Sequence, residues 1–500
     1  MQRLKKSKLI STLLLAALLI AGFFYRIYGL NLNYSFWTDE NHVAIFVRAI
    51  LERGKPVLLN GYTTGVYQWL QYWLSAISAK IFGLNEFAIR FPSVIFGVLA
   101  IWVVYLLGKE LFNRNVGLLA AFFITFSKLE ILWSRQARPY QALQFFFLLG
   151  AFFTYKLAKE KKFNWRYFIG FLGSGVLASL MHGLGLVIFF VGFIYLIITK
   201  FSMFRKKWIW LGIALFSFFG WIFKISLISV FSQFGKINNL FYYRVFLTHN
   251  YLVFCLLAVL GGFLLIRRKS YQELFLFVIF LGVQIIICSF FLGQPFTRYF
   301  YIVFPFLILL SAVGLESISQ ALSSRVNKLQ TLNTEHLTLV ILAIFIIVMG
   351  NKFTLFPQRV YSLNEDMQEV PEVDWKKIYG FVDEKLKENP DAVLITNWSD
   401  LPVWYLGEGK PDFLVRKDVG TEKDIFSKAI ILSDLYSFQE LVKTKEKGII
   451  IIDSWDNYIP DGISEYARKN LKKELEVDRI YSIQPRYWPV EVYSWGMEKD

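Results

Sequence analysis

The feature that most constrains this chain is a succession of apolar runs, each near the ~20 residues a helix needs to cross a bilayer. They fall at about 9–28, 87–107, 116–134, 140–157, 166–181, 184–199, 208–228, 249–266, 273–293, 300–316 and 336–353. With 55% hydrophobic and 18% aromatic residues in 500, the apolar surface exceeds what one soluble core can hide. A cytosolic enzyme, a disordered chain and a secreted disulfide scaffold are excluded. Both cysteines, Cys255 and Cys288, sit inside apolar runs and suggest neither a zinc site nor a redox compartment.

Charge divides the chain. Residues 1–354 carry 34 Lys+Arg against 10 Asp+Glu, whereas residues 355–500 carry 20 against 28. The basic residues punctuate the apolar runs instead of forming one patch, which disfavours nucleic acid and matches the positive-inside rule. A cytoplasmic N-terminus puts Arg3–Lys8, Lys109/Arg114, Lys156–Arg166, Lys200–Lys207, Arg267–Lys269 and Arg325/Lys328 on one side. The alternate loops are poorer in basic residues. The first run follows a basic segment with no clear small-x-small cleavage site, so it reads as a retained signal anchor. The expected architecture is an α-helical multi-pass membrane domain of about eleven helices over 1–354. An extracytoplasmic α/β domain over 355–500 follows it.

The loop at 29–86 is too long for a connector. Its segment 66–82 reads as an interfacial helix with Trp69, Tyr72 and Trp73 as belt residues. The loop also contains Trp37-Thr-Asp-Glu-Asn-His42, and Asp39 is the only aspartate in the first 354 residues. Glu40, Glu52, Glu86 and Glu130 are the other outer acids. Asp39 has two readings: the cap of a helix starting near residue 40, or a working carboxylate near the membrane surface. Asp39 and His42, at i and i+3, share one helix face.

Basic residues on the outer side form a second group. Arg135 and Arg138 lie in Trp133-Ser-Arg-Gln-Ala-Arg-Pro-Tyr140, Arg298-Tyr299 precedes the tenth run, and Arg90 opens the second. Any single arginine there is explained by snorkelling to lipid phosphates or by pairing. Several together favour an anion site, because the guanidinium fork fits phosphate. His42, His182 and His249 map to the same side, without the spacing of a metal motif. No Walker motif, G-x-S-x-G, H-E-x-x-H or G-x-G-x-x-G is present.

These pieces in this order resemble the multi-pass type C glycosyltransferases related to protein O-mannosyltransferases and the lipid A aminoarabinose transferase. The resemblance runs through most of 20–315. It rests on Trp37-Thr-Asp-Glu40, Gly83-Leu-Asn-Glu-Phe-Ala-Ile-Arg-Phe-Pro-Ser93, Trp133–Tyr140, His182-Gly-Leu-Gly-Leu186, and Arg298-Tyr299 with Pro305. It implies a polyprenyl-phosphate sugar donor used on the non-cytoplasmic face of a prokaryotic plasma membrane. By the family pattern Asp39 is the base, with Glu40 beside it. Arg138 and Arg298, with Arg135 and Arg90, become candidates for the donor phosphate. His42, Tyr140, His182 and Tyr299 become candidates for substrate contact. A divalent metal and the acceptor (protein, lipid or polysaccharide) stay open. Two departures bear on donor, metal and acceptor: Tyr62–Tyr67 lacks the basic residue and prolines of some relatives, and Arg138-Pro139 stands where some carry an acid.

Beyond residue 354, Trp375–Lys387, 436–446 and 463–474 read as helices. Ala392–Asn397, Ala429–Asp434 and Gly448–Asp453 read as strands of an α/β layer domain. Its aromatics Trp398, Trp404, Tyr405, Trp455, Tyr487 and Trp488 have two readings, faces for stacking on sugars and core packing, with core favoured for most. Asn33-Tyr-Ser35 and Asn397-Trp-Ser399 match short glycosylation acceptors. Two other classes compete with the enzyme. A transporter or flippase of lipid-linked glycans predicts charges or broken helices at mid-membrane. An accessory membrane subunit predicts a dispensable Asp39.

Overall fold

A computed structural model describes the chain apart from residues 1, 31–34, 37, 67, 201–213, 215–216, 219–235, 327–333, 351, 360, 362–372, 418–419, 457, 480–487 and 498–500. Most of the run at 208–228, Trp37, Asn33, Tyr487 and most of the 355–372 linker therefore lie outside the described residues. Two compact units emerge. One comprises residues 1–28, 65–71 and 90–361; the other comprises 29–64, 72–89 and 362–500.

The first unit is helical. Its helices are α1 (Gln2–Ile27), then, beyond α2 (Thr38–Arg53) and across the boundary α3 (Trp69–Phe82) and α4 (Glu86–Leu111), α5 (Arg114–Phe126), α6 (Lys128–Ser134), α7 (Tyr140–Lys159), α8 (Trp165–Met181) and α9 (Leu186–Thr199). After these come α10 (Leu240–Asn250), α11 (Leu252–Arg267), α12 (Tyr271–Phe290), α13 (Thr297–Tyr301), α14 (Phe304–Val326) and α15 (Thr334–Met349). Among the described residues, Leu9–Ile27, Glu86–Leu111, Tyr271–Phe290 and Phe304–Ser324 are each long and apolar enough to cross a membrane. On α11, Leu252, Leu256, Val259, Phe263 and Ile266 are exposed while Phe254, Leu257, Ala258, Gly261 and Leu265 are buried. The exposed stripe is as apolar as the buried one, which is stable only against lipid. The buried stripe packs very closely on α14. A Cβ at Gly261 would come within 2.2 Å of the Leu310 carbonyl oxygen, and one at Gly314 within 2.3 Å of that of Leu257. Small residues at this crossing let the backbones meet.

Three apolar runs are not single helices. The run at 116–134 breaks at Ser127, whose φ of −68° and ψ of 123° are extended. The break is held by Phe353 in an antiparallel bridge, with Lys128 N donating to Lys352 O at 3.0 Å and Thr354 N to Phe126 O at 3.0 Å. The run at 249–266 gains a preceding helix, α10, bent by 100° from α11. The tenth run divides into the short α13 and a longer α14 that extends to Val326.

The second unit joins the first long loop to the C-terminal residues. Its sheet has the order β3-β2-β1-β4-β6-β5, with β1 (Val393–Thr396), β2 (Phe413–Val415), β3 (Ile430–Leu432), β4 (Gly448–Asp453), β5 (Lys472–Val477) and β6 (Val490–Trp495). The first four are parallel, and β6 runs antiparallel to β4 and β5. Central β4, Gly-Ile-Ile-Ile-Ile-Asp, is buried along its whole length, as an uninterrupted apolar run predicts. Ile449 and Ile451 face a core with Trp375, Ile378 and Val382 of α16 (Trp375–Glu388). Ile450 and Ile452 face the opposite core, with Phe438 of α18 (Leu435–Thr444) and Ile463 and Ala467 of α19 (Ile463–Asn470). Between β1 and β2 lies α17 (Asp400–Leu406). The helix expected to 474 ends at Asn470, because the next residues pair with β6.

Candidate functional site

In the first unit, the sequence Arg138-Pro139-Tyr140 makes the turn between α6 and α7. Pro139 holds φ at −71° and its carbonyl accepts from Leu143 N at 2.9 Å, so α7 begins at Tyr140. The Tyr140 ring is 2% exposed. Arg138 Cζ stands 5.4 Å from its centroid and Arg298 Cζ 5.8 Å. Arg298 also lies over Phe296 at 3.8 Å and near Tyr299 at 5.6 Å. His182 is 5.5 Å from Tyr140, and Tyr299 is 6.3 Å from it. Five residues marked from the sequence (Arg138, Tyr140, His182, Arg298 and Tyr299) therefore meet around one phenol ring. Aromatic faces stabilise the two guanidinium charges, which stay buried at 6% and 8% exposure.

His182 lies in the turn between α8 and α9. Its Nδ1 accepts from Leu184 N at 3.1 Å, which makes Nε2 the protonated nitrogen of the neutral ring. Burial, followed by the charges of Arg138 and Arg298, pushes its pKa down to about 3. Gly185 permits this turn, since a Cβ there would lie 2.2 Å from the Ala178 carbonyl carbon.

Arg135 behaves differently. Its Nη1 donates to the carbonyls of Arg26 at 3.1 Å and Tyr28 at 2.8 Å, and its Nη2 to Arg359 O at 2.6 Å. It closes the C-terminal end of α1 and stacks on Tyr361 at 5.3 Å. Its two terminal nitrogens, Nη1 and Nη2, are taken up by main chain, and its contacts lie with α1, Arg359 and Tyr361 instead of the Tyr140 ring. Arg90, 3% exposed in the first turns of α4, contributes its charge near Arg135.

A buried polar group that the sequence did not mark as a site lies among the same elements. Glu130 Oε1 accepts from Gln144 Nε2 at 2.9 Å, and its Oε2 lies 2.9 Å from the Tyr301 hydroxyl. Besides the placing of Glu130 among the outer acids, Gln141 and Gln144, one turn apart on α7, are a signal that could have pointed to it: two buried amides on an apolar helix.

In the second unit, α2 starts at Thr38, with Asp39 and Glu40 in its first turn. Both carboxylates lie where the helix dipole favours negative charge. Glu40 is 1% exposed, while Asp39 is only partly buried. Among the described residues no carboxylate pairs with His42. Its ring packs against Phe46 at 5.1 Å and Phe426 at 5.4 Å, and burial pushes its pKa down to about 4. His249 is exposed near the end of α10. Among the described residues no three His, Cys, Asp or Glu side chains group to hold a metal ion. The rest of α2 is clasped from the C-terminal residues. Arg48 Nη1 donates to Val403 O at 3.0 Å and its guanidinium lies 5.1 Å from the Trp404 ring. Glu408 takes Leu59 N at 2.7 Å and pairs with Arg53.

Residues 69–225 match the family model for dolichyl-phosphate-mannose-protein mannosyltransferases. An uncharacterized protein of Aquifex aeolicus (strain VF5) is 29% identical over 27% of this chain. YkcB of Bacillus subtilis (strain 168), named provisionally as a mannosyltransferase, is 24% identical over 32% of it. The matched stretches span 28% and 23% of those relatives' lengths. Among solved structures, ArnT from Cupriavidus metallidurans in the apo state superposes with a TM-score of 0.66 at 14% identity, covering 98% of both chains. The same ArnT bound to undecaprenyl phosphate gives 0.64 at 14% identity over 97% of both. The Archaeoglobus fulgidus oligosaccharyltransferase AglB, in complex with an inhibitory peptide and a dolichol-phosphate, gives 0.56 at 14% identity over 96% of this chain and 75% of its own. Residues 69–225 thus carry the sequence pattern of the dolichyl-phosphate-mannose-protein mannosyltransferases, and the chain as a whole is a membrane protein with the fold of the type C glycosyltransferases.

Proposed function

We propose that this protein moves a single sugar, with inversion, from a polyprenyl-phosphate-linked donor to an acceptor hydroxyl. In this reading the reaction runs on the extracytoplasmic face of a prokaryotic plasma membrane, with the N-terminus cytoplasmic and residues 355–500 outside. The observation that carries the proposal is the pair of buried arginines, Arg138 and Arg298, held on one tyrosine ring beside a neutral histidine. A phosphate placed there gains two charge-assisted donors in surroundings poor in water. That related folds bind undecaprenyl phosphate in ArnT and dolichol-phosphate in AglB supports the same ligand class here.

The chemistry follows from the charges. The partly exposed Asp39 accepts the proton of the acceptor hydroxyl as its oxygen bonds to the anomeric carbon. The bond from that carbon to the donor phosphate oxygen breaks, and its electron pair stays on the phosphate. Arg138 and Arg298 steady the charge that develops, so no general acid is required. Glu40, deeper than Asp39, orients the first turn of α2. A single displacement, with one base and one leaving group, gives inversion. The purified full chain, incubated with a panel of polyprenyl-phosphate sugars, is expected to release the lipid phosphate. If none of the sugars is released while the lipid phosphate still binds, the proposal fails in favour of a lipid-handling role.

A further inference from the structure

The hydrogen-bonded ring beneath the Tyr140 cluster can be solved for its protons. The Tyr301 main-chain carbonyl accepts from Gln144 Nε2 at 2.9 Å, and a carbonyl only accepts, so this fixes which end of the Gln144 amide carries hydrogen. Gln144 Oε1 is then the acceptor that faces Gln141 Nε2 at 3.1 Å. Gln141 Oε1 consequently faces the Tyr301 hydroxyl. That hydroxyl has one hydrogen, yet it lies against two acceptors, Gln141 Oε1 and Glu130 Oε2. Turning Gln141 over would set its oxygen against Gln144 Oε1, and turning Gln144 over would set its oxygen against the Tyr301 carbonyl. A second hydrogen is needed, and only the carboxyl group can supply it. Glu130 Oε2 then donates to Tyr301 Oη, Tyr301 donates to Gln141, and every member of the ring is satisfied. The charged group facing this carboxyl is Arg26, whose guanidinium donates to the carbonyls of Gly22 at 3.2 Å and Ile124 at 3.2 Å.

The ring joins the three elements that present the cluster. Glu130 lies on α6, which leads into Arg138. Gln141 and Gln144 lie on α7, which opens with Tyr140. Tyr301 lies on the five-residue α13 that carries Arg298 and Tyr299. We propose that Glu130 is a neutral carboxylic acid that acts as a positioning residue, holding the Arg138 turn and the Arg298 turn in register through Tyr301, Gln141 and Gln144. Its effect on donor use rests on the glycosyl-transfer reading; its protonation state does not.

Two measurements test this. In Glu130→Gln, the amide nitrogen can donate to Tyr301 and the amide oxygen can accept from Gln144, so the ring closes without the acid proton. Apparent KM for a polyprenyl-phosphate sugar should stay within about twofold in Glu130→Gln and rise about tenfold in Glu130→Ala, with kcat changed less than KM. Infrared difference spectra of the full chain at neutral pH, wild type minus Glu130→Gln, should contain the carbonyl stretch of a protonated carboxylic acid. A carboxylate signal in its place overturns the proposal. So does a Glu130→Gln protein that fails to fold or behaves like Glu130→Ala, since either makes Glu130 an ionised partner of Arg26. If no sugar is transferred by the wild type, the infrared band and the affinity for undecaprenyl phosphate still decide the question.

Discussion

Most buried arginines of the helical unit and most ion pairs of the sheet unit are held by different physics, although Lys156 pairs directly with Glu110 at 3.2 Å in the first and Arg48 leans on Val403 O and Trp404 in the second. In the helical unit the guanidiniums of Arg26, Arg135, Arg138 and Arg298 are buried and lean on main-chain carbonyls and aromatic faces. Water is scarce there, so a charge needs a fixed dipole or a π-face. In the unit built on the sheet, opposite charges pair directly, as in Arg53 with Glu408, Lys376 with Glu86 at 3.2 Å and Arg468 with Glu491 at 2.7 Å. A guanidinium held on a π-face keeps its formal charge, whereas a contact with a carboxylate offsets it. The proposed anion site draws on the first kind of holding, at Arg138 and Arg298.

Four results would break or sharpen this comparison. The largest effect is expected for Asp39→Asn, which should cut transfer by about a hundredfold or more while leaving the fold and lipid-phosphate binding intact. Near-normal turnover in that variant removes Asp39 from the chemistry. Next, Arg138→Ala should raise the apparent KM for the donor about tenfold to a hundredfold. An unchanged affinity would mean that Arg138 only anchors the turn. Arg135→Met, three residues away, should do the reverse: it should lower thermal stability by about 1–3 kcal/mol through the lost carbonyl partners and leave donor affinity alone. A weakened affinity there would merge the two arginine classes. The smallest effect concerns pH. His42, with a folded pKa of about 4 against 6.5 for the free side chain, takes up its proton later than the unfolded chain as pH falls. Its contribution is neutral above about pH 6.5 and turns destabilising as pH falls from there toward about 4. His42→Phe should therefore flatten the acid dependence of unfolding across that window. Parallel curves for the two proteins would contradict the buried neutral ring.

Much of the frame was legible because lipid and sheet cores write long apolar signals. The runs at 87–107, 140–157, 166–181 and 273–293 correspond to α4, α7, α8 and α12 within a few residues. The break at Ser127 left no such signal, because it depends on a two-residue pairing with Phe353 more than 200 positions away. β2 has only three residues and β5 is a charged edge strand, so neither shows the expected alternation. The joining of the first loop to the C-terminal residues rests on bonds such as Lys376 N to Ser35 Oγ at 2.8 Å, which no local pattern encodes. In the candidate site, Arg138 and Arg298 were legible as phosphate candidates and Tyr140, His182 and Tyr299 as substrate candidates, but their meeting around one ring was not. Arg135 carried the same signal as Arg138, and only the carbonyls that surround each one separate them. Glu130 was visible as an outer acid, but its ring closes through Tyr301, 171 residues away.

The most direct test of the central claim is the affinity of purified full-length protein for undecaprenyl phosphate, compared with the Arg138→Ala/Arg298→Ala double variant and with Arg135→Met. Saturable binding that is lost in the double variant and kept in Arg135→Met is the predicted result. Equal binding by all three proteins would contradict the assignment of the Tyr140 cluster as the lipid-phosphate site.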